Sequence, residues 1–285
     1  MAKGNLLLGT AKNSVGDVVM YRREGAQITR VRVRNVKNPK TNAQSFQRAI
    51  MAPIAKFYSP LSVVLERSFE GLSKAKSHNK FNQVNANLAR ANKWALPKGT
   101  GFFPLPYQLS QGTLPSVNYN AQGAFMVTVP GVTKETNTVA ALSTALVGAG
   151  YKQGDVVTII AITVIMSGST VKEAVPHSLQ FAIDTTSVES FADAFGSNVV
   201  FDNQENQLII PMINETPVLA GAVIVSRFDG TMWRRSTQAL AVDASIITPV
   251  TADAAVAAAI ASYGMTAGDG NPLVYLDGDE LADGE

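Results

Sequence analysis

The chain has 285 residues, 46% of them hydrophobic and 16% charged, enough for one large domain or two ordinary ones. It contains no cysteine, which excludes disulfides, thiolate metal sites and a cysteine nucleophile. Its net charge of +2 hides a division: residues 1–100 hold 18 Lys and Arg against four acids, a net +14, whereas residues 101–285 hold six against 18, a net −12. Charge sorted in this way bears on partners rather than on fold. A basic third suits phosphate, an acidic protein surface, or the acidic part of a neighbouring copy.

Leu6-Leu7-Leu8 is too short for a signal-peptide core, being interrupted by Gly9 and Lys12. The longest apolar runs, such as Val156 to Met166, fall below the ~20 residues that a membrane-spanning helix needs, so no membrane association is expected. Val18-Val19-Met20-Tyr21 predicts a short strand, Arg22-Arg23-Glu24-Gly25 a turn, and Gln27 to Asn35 a second strand. In the second strand Arg30, Arg32 and Arg34 alternate with Val31 and Val33, which places the three guanidiniums on one face. They repel each other there unless water or an anion lies over them.

Asn38-Pro39-Lys40-Thr41 predicts a turn, with Thr41 or Asn42 as a helix N-cap. Phe46, Ile50, Ile54 and Phe57 follow at helical spacing, with Pro53 expected to kink or interrupt the helix. Ser59-Pro60 predicts a restart that carries Leu61, Val64, Leu65 and Phe69. After an expected loop at Gly71 to Ser77, Phe81, Val84, Leu88 and Ala91 repeat the helical pattern, and Trp94 closes the region. These stripes read as core. Ala95 to Ser116, with four prolines, reads as a linker or a crossing segment.

Beyond it the pattern becomes strand-like: Ala124 to Pro130, Asp155 to Met166, Leu179 to Ile183, Asn198 to Phe201, Gln207 to Met212 and Ala220 to Arg227. Val188 to Phe195 reads as a short helical excursion. Ala254 to Tyr263 predicts a helix capped by Thr251-Ala252-Asp253, and Leu273 to Leu276 a last strand before an acidic tail. The expected fold is α+β. An N-terminal β-hairpin plus helices spans 1–100, an antiparallel β-sandwich or barrel 101–250, and a short helix with the acidic tail 251–285.

Catalytic signals are thin. His78 sits in a basic polar stretch and His177 follows Pro176, neither beside an evident nucleophile, and GxSxG, P-loop, Rossmann glycine and HExxH patterns are missing. No enzymatic activity and no cofactor are expected. Asp277-Gly278-Asp279-Glu280 lacks the spacing of a calcium loop and reads as a solvated terminus or one that docks on a basic surface, so no metal site is expected. The strongest constellation is Arg22, Arg23, Arg30, Arg32, Arg34, Lys37, Lys40 and Arg48. Eight cations in 27 residues would release counterions from nucleic acid, but Tyr21 and Phe46 are the sole rings nearby, which suits phosphate tracking without base reading. The alternative is a basic face that meets the acidic part of another subunit.

Val15-Gly16-Asp17-Val18-Val19 with Tyr21-Arg22 and Gly25, then Asn38-Pro39-Lys40-Thr41-Asn42-Ala43-Gln44 with Gln47-Arg48, carry a resemblance. So do Phe57-Tyr58-Ser59-Pro60-Leu61 and Phe81-Asn82. Together they resemble the opening of an uncharacterised protein family from Bacteroidetes and gut phage genomes, over about the first third of the chain. The resemblance implies no catalytic residue. It implies a phage setting: a virion structural protein, made in the host cytoplasm, that forms homo-oligomers with other virion proteins as neighbours. The arginines would then meet packaged genome or a neighbouring subunit.

Overall fold

The computed structural model describes residues 13–15, 17–23, 26–32, 41–91, 104–167 and 170–246. The chain divides into two compact units, residues 1–41 and 42–285. The first is a three-stranded antiparallel meander of β1 (Asn13–Val15), β2 (Val18–Arg23) and β3 (Ala26–Val31). Arg22 and Arg23, expected in a turn, are strand residues, and Arg23 pairs with Ala26. β1 was not anticipated; three residues carry too little pattern to announce a strand.

The second unit begins with helices α1 (Asn42–Leu61) and α2 (Lys74–Ala91), then short strands β4 (Gln108–Ser110), β5 (Asn118–Ala121) and β6 (Phe125–Thr128). Helix α3 (Val139–Gly148) precedes a long hairpin, β7 (Val156–Ser167) and β8 (Thr170–Ala182). Helix α4 (Phe191–Phe195), β9 (Val199–Val200), β10 (Gln207–Ile210) and β11 (Met212–Ile213) lead into β12 (Thr216–Phe228). Three short strands follow, β13 (Trp233–Arg235), β14 (Gln238–Ala239) and β15 (Ala241–Val242).

The main sheet runs β8-β7-β12-β11-β9, with β13 and β15 also paired to β12; a smaller sheet runs β10-β6-β5. Every pairing between these described strands is antiparallel. The protein is therefore α+β and strand-rich. The central strands are buried on both faces. Ile160, Ile162 and Val164 of β7, with Ala220, Ala222 and Ile224 of β12, join a core with Ile54, Phe57 and Phe81 of the helices. The alternate residues Val157, Ile159, Ala161, Val223 and Val225 join a second core with Phe125, Val127 and Leu142. Double burial explains why Val156 to Met166 reads as an unbroken apolar run instead of an alternating one.

Several expectations change here. Taken as one basic region, residues 1–100 are cut at Thr41, and α1 and α2 belong with the sheet they cover. Helix α1 continues through Pro53 and Pro60. An interior proline costs about 3 kcal/mol, yet Ile50, Ile54, Phe57 and Leu61 are each at most 2% exposed, and full burial of such side chains yields about 1.5–3 kcal/mol apiece. No second helical piece follows in 62–73. Arg67 takes a left-handed backbone, φ 56°, and Phe69 forms a bridge with Gln111 while its N–H donates to Ser77 Oγ.

From Pro104 onward the segment expected as linker or crossing is packed, with Leu105, Tyr107 and Leu109 at most 2% exposed. Buried Asn85 of α2 accepts from Gln108 N–H at 2.8 Å and donates to its carbonyl at 3.0 Å, standing in for a neighbouring strand. Helix α3 was missed. Thr138 caps it, accepting from Ala141 N–H at 3.2 Å. The expected helix at 254–263, the strand at 273–276, the acidic tail and Trp94 lie outside the described residues.

Candidate interaction surface

In the first unit the register pairs Val18 with Val31, Val19 with Arg30, Met20 with Thr29 and Arg22 with Gln27. Directly paired residues share a face of a sheet, and alternate residues along a strand share it too. Arg23 and Arg30 therefore lie on one face with Tyr21 and Ile28, whereas Arg22 lies on the other with Met20 and Thr29. Arg32 follows β3 and continues its alternation, donating its backbone N–H to Asp17 O at 2.6 Å. Arg22, Arg23, Arg30 and Arg32 are all exposed. The Arg30 guanidinium sits 5.8 Å from the centre of the Tyr21 ring, a cation–π distance.

The other four members of the constellation are not among the described residues of this sheet. Arg48 is exposed on α1, in the second unit. Arg34, Lys37 and Lys40 lie outside the described residues, as do Glu24 and Gly25, where a turn is expected from the sequence.

The three arginines of the acidic part play another role. Arg227 makes a two-pronged pair with Asp155, both bonds at 2.6 Å, and the Asp155 side chain is 1% exposed. Arg234 bridges Glu70 at 2.6 Å and Asp229 at 2.8 Å, joining the β12–β13 turn to the stretch after α1. Burial pushes the Glu70 carboxyl up, but hydrogen bonds from Arg234, Thr113 and Arg235 outweigh it and hold the group below its usual range. Asp229 is held low by the N–H of Met232, then by Thr231 and Arg234. Arg235 lies 5.5 Å over the Trp233 ring and donates to Ser226 Oγ. These guanidiniums fasten the fold.

One surface was not read from the sequence. Phe228, Met232 and Trp233 remain 38–55% exposed at the β12–β13 turn and line a groove of about 360 Å³ with Arg67, Phe69 and Leu72. The available signal was Phe228-Asp229-Gly230-Thr231-Met232-Trp233, an Asp-Gly turn flanked by rings, with Gly230 at φ 93°.

The histidines stand apart. His78 stacks on Tyr58 at 4.4 Å, and His177 shares a 3.1 Å hydrogen bond with Thr163 Oγ1, its pKa lowered by burial. Thr163, Glu173 and His177 border a groove of about 210 Å³ beside the β11–β12 turn. Among the described residues, no group of three or more His, Asp or Glu is placed to hold a metal, and no helix is long and apolar enough to cross a membrane.

No curated protein and no solved structure matches the chain. A family model does match: residues 9–175, more than half of the sequence, fit the family of unknown function DUF6266, and the protein belongs to that family.

Proposed function

We propose that the protein is a non-enzymatic structural component of a phage particle, present in many copies, whose basic N-terminal sheet docks on an anionic surface. That surface is the phosphate of packaged genome or the carboxylates of a neighbouring subunit. One observation carries the proposal. Residues 1–41 form a compact unit of their own with nine Lys and Arg against two acids, and Arg22, Arg23, Arg30 and Arg32 stand exposed on it. In the second unit Arg227 and Arg234 are held by carboxylates of the same unit, so their charge is spent within the fold. The phage setting rests on the sequence resemblance described above.

Mass spectrometry of purified particles tests the structural role. The chain is expected as an abundant component, and its absence refutes the proposal. The phosphate alternative predicts that random-sequence DNA binds at low salt and is released as salt rises. Arg30→Ala and Arg32→Ala should each flatten the log–log salt dependence by about one unit. No binding at low salt would leave carboxylates as the anionic partner.

A second reading is a free nucleic-acid-binding protein without sequence preference. It is favoured by Tyr21, a 38% exposed aromatic residue beside Arg30 on the basic face, the kind of ring on which bases stack. DNA binding by a chain missing from particles, with loss of affinity in Tyr21→Ala, would select it.

A further inference from the structure

The basic sheet has an edge whose chemistry specifies its occupant. Arg32 N–H bonds to Asp17 O, and in an antiparallel pair the bonded positions alternate. Arg32, Arg30, Ile28 and Ala26 therefore turn their backbone groups toward β2, and Thr29 and Val31 turn theirs outward. Among the described residues β3 has a strand on its β2 side only. Val31 is 73% exposed. Arginine on such an edge repels basic strands and admits an acidic one.

The same sequence contains a segment of matching length and opposite charge. Residues 247–285 hold seven Asp and Glu and no Lys or Arg, a net −7, against a net +7 for residues 1–41. Within it, Leu273-Val274-Tyr275-Leu276 is rich in strand-forming residues and runs directly into Asp277, Asp279 and Glu280. We propose that residues 273–280 of one copy add as a parallel strand to the outer edge of β3 of a second copy. Aligned in parallel, Leu273, Tyr275, Asp277 and Asp279 fall beside Ala26, Ile28, Arg30 and Arg32, apolar against apolar and carboxylate against guanidinium. An antiparallel strand over the same span would bring the carboxylates to Ala26 and Ile28, and one shifted to meet the arginines would set Asp283 beside Ala26, so the parallel direction is the one that satisfies both matches. Backbone bonds to Thr29 and Val31 supply affinity, and the charges supply selection. The contact is heterologous, tail to edge, so it propagates from copy to copy as a multi-copy assembly requires.

This inference rests on the sheet being a dock for anions, and the test separates the two. Full-length chains are compared by sedimentation velocity at low and high salt, with circular dichroism to verify folding. Wild type is expected to self-associate at low salt and to dissociate as salt rises. Asp277→Lys with Asp279→Lys, which changes no residue of the described fold, should weaken association about tenfold or more, since each close charge pair turns from attraction to repulsion. Arg30→Asp with Arg32→Asp should do the same. Mixing the two variant chains should restore association, because each then offers the other a complementary partner. A tail variant that associates like wild type overturns the inference, as does failure of folded variants to associate on mixing. A chain monomeric at every salt that still binds DNA through Arg30 and Arg32 overturns it while leaving the dock itself standing. If neither association nor DNA binding occurs, both proposals fall.

Discussion

Gly221→Ala should destabilise the second unit although it adds one methyl group to the middle of a strand. Gly221 sits on β12 opposite Ala161 of β7, where the small sheet presses on the large one. A Cβ there would lie 2.6 Å from Phe125 Cδ2, 2.7 Å from Cγ and 2.8 Å from the Ile160 carbonyl oxygen. Carbon atoms rest at about 3.5–4.0 Å, so the ring must retreat by about 1 Å. Phe125 is 0% exposed and packs on Tyr119 at 5.7 Å, which gives it little room. The carbonyl oxygen belongs to a paired strand and cannot rotate away. Overpacking of this kind costs about 1–3 kcal/mol, while replacing glycine in a strand returns about 0.5–1 kcal/mol. The expected net loss is about 1–2 kcal/mol, read as a lower urea midpoint by circular dichroism with an unchanged slope. Phe125→Leu alone should cost about 1–3 kcal/mol through the gap it leaves. Combined with Gly221→Ala it should cost less than the sum by at least about 0.5 kcal/mol, because the smaller side chain makes room for the methyl. A Gly221→Ala protein as stable as wild type, or strict additivity of the pair, would refute this account of how the sheets meet.

The Asp155–Arg227 pair should break asymmetrically. Arg227→Met leaves a 1% exposed carboxylate with the Lys152 N–H at 2.9 Å as its remaining described donor, at a cost of about 3–5 kcal/mol. Asp155→Asn leaves a guanidinium 23% exposed, which water reaches, and should cost less; urea unfolding giving the reverse order would contradict the pairing. Glu70 makes stability depend on pH. Its folded pKa lies below its ordinary 4.5, so its contribution is present above that value and is lost as pH falls through the folded one. Glu70→Gln should therefore lower the melting temperature at neutral pH and flatten its decline in acid, and an unchanged acid limb would exclude the linkage.

How much of this was legible follows from what each signal measures. Period-two alternation reports a strand whose faces differ, and it located β3 from the residues around Arg30. Period 3.6 reports a helix with one apolar face, and Ile50, Ile54 and Phe57 announced α1. Helix α3 was illegible because Val139, Leu142, Ala145 and Leu146 are buried among further Ala, Val and Leu, so contrast between its faces is weak. The β12–β13 groove escaped for another reason. Aromatic residues normally signal core, and nothing local marks Phe228 and Trp233 as half exposed.

Charge was the clearest signal, and it does not follow the division of the chain into compact units at Thr41. Net charge is a property of surface, and a surface residue records nothing about which residues share its core. Residues 42–91 are also net basic, seven Lys and Arg against two acids, yet Phe57 and Phe81 pack with Tyr107 beneath the main sheet, and that apolar contact decides their membership. The exposed cations of α1 and α2 are what remains after their apolar stripes have been buried, and Lys74 pairs with Glu66 at 3.0 Å. In the first unit Met20, 9% exposed, is the one buried apolar side chain among the described residues, and arginines occupy both faces of the sheet. If an anion docks on this sheet as proposed, the stability of the first unit should rise when that anion is supplied, by mass action on the folded form.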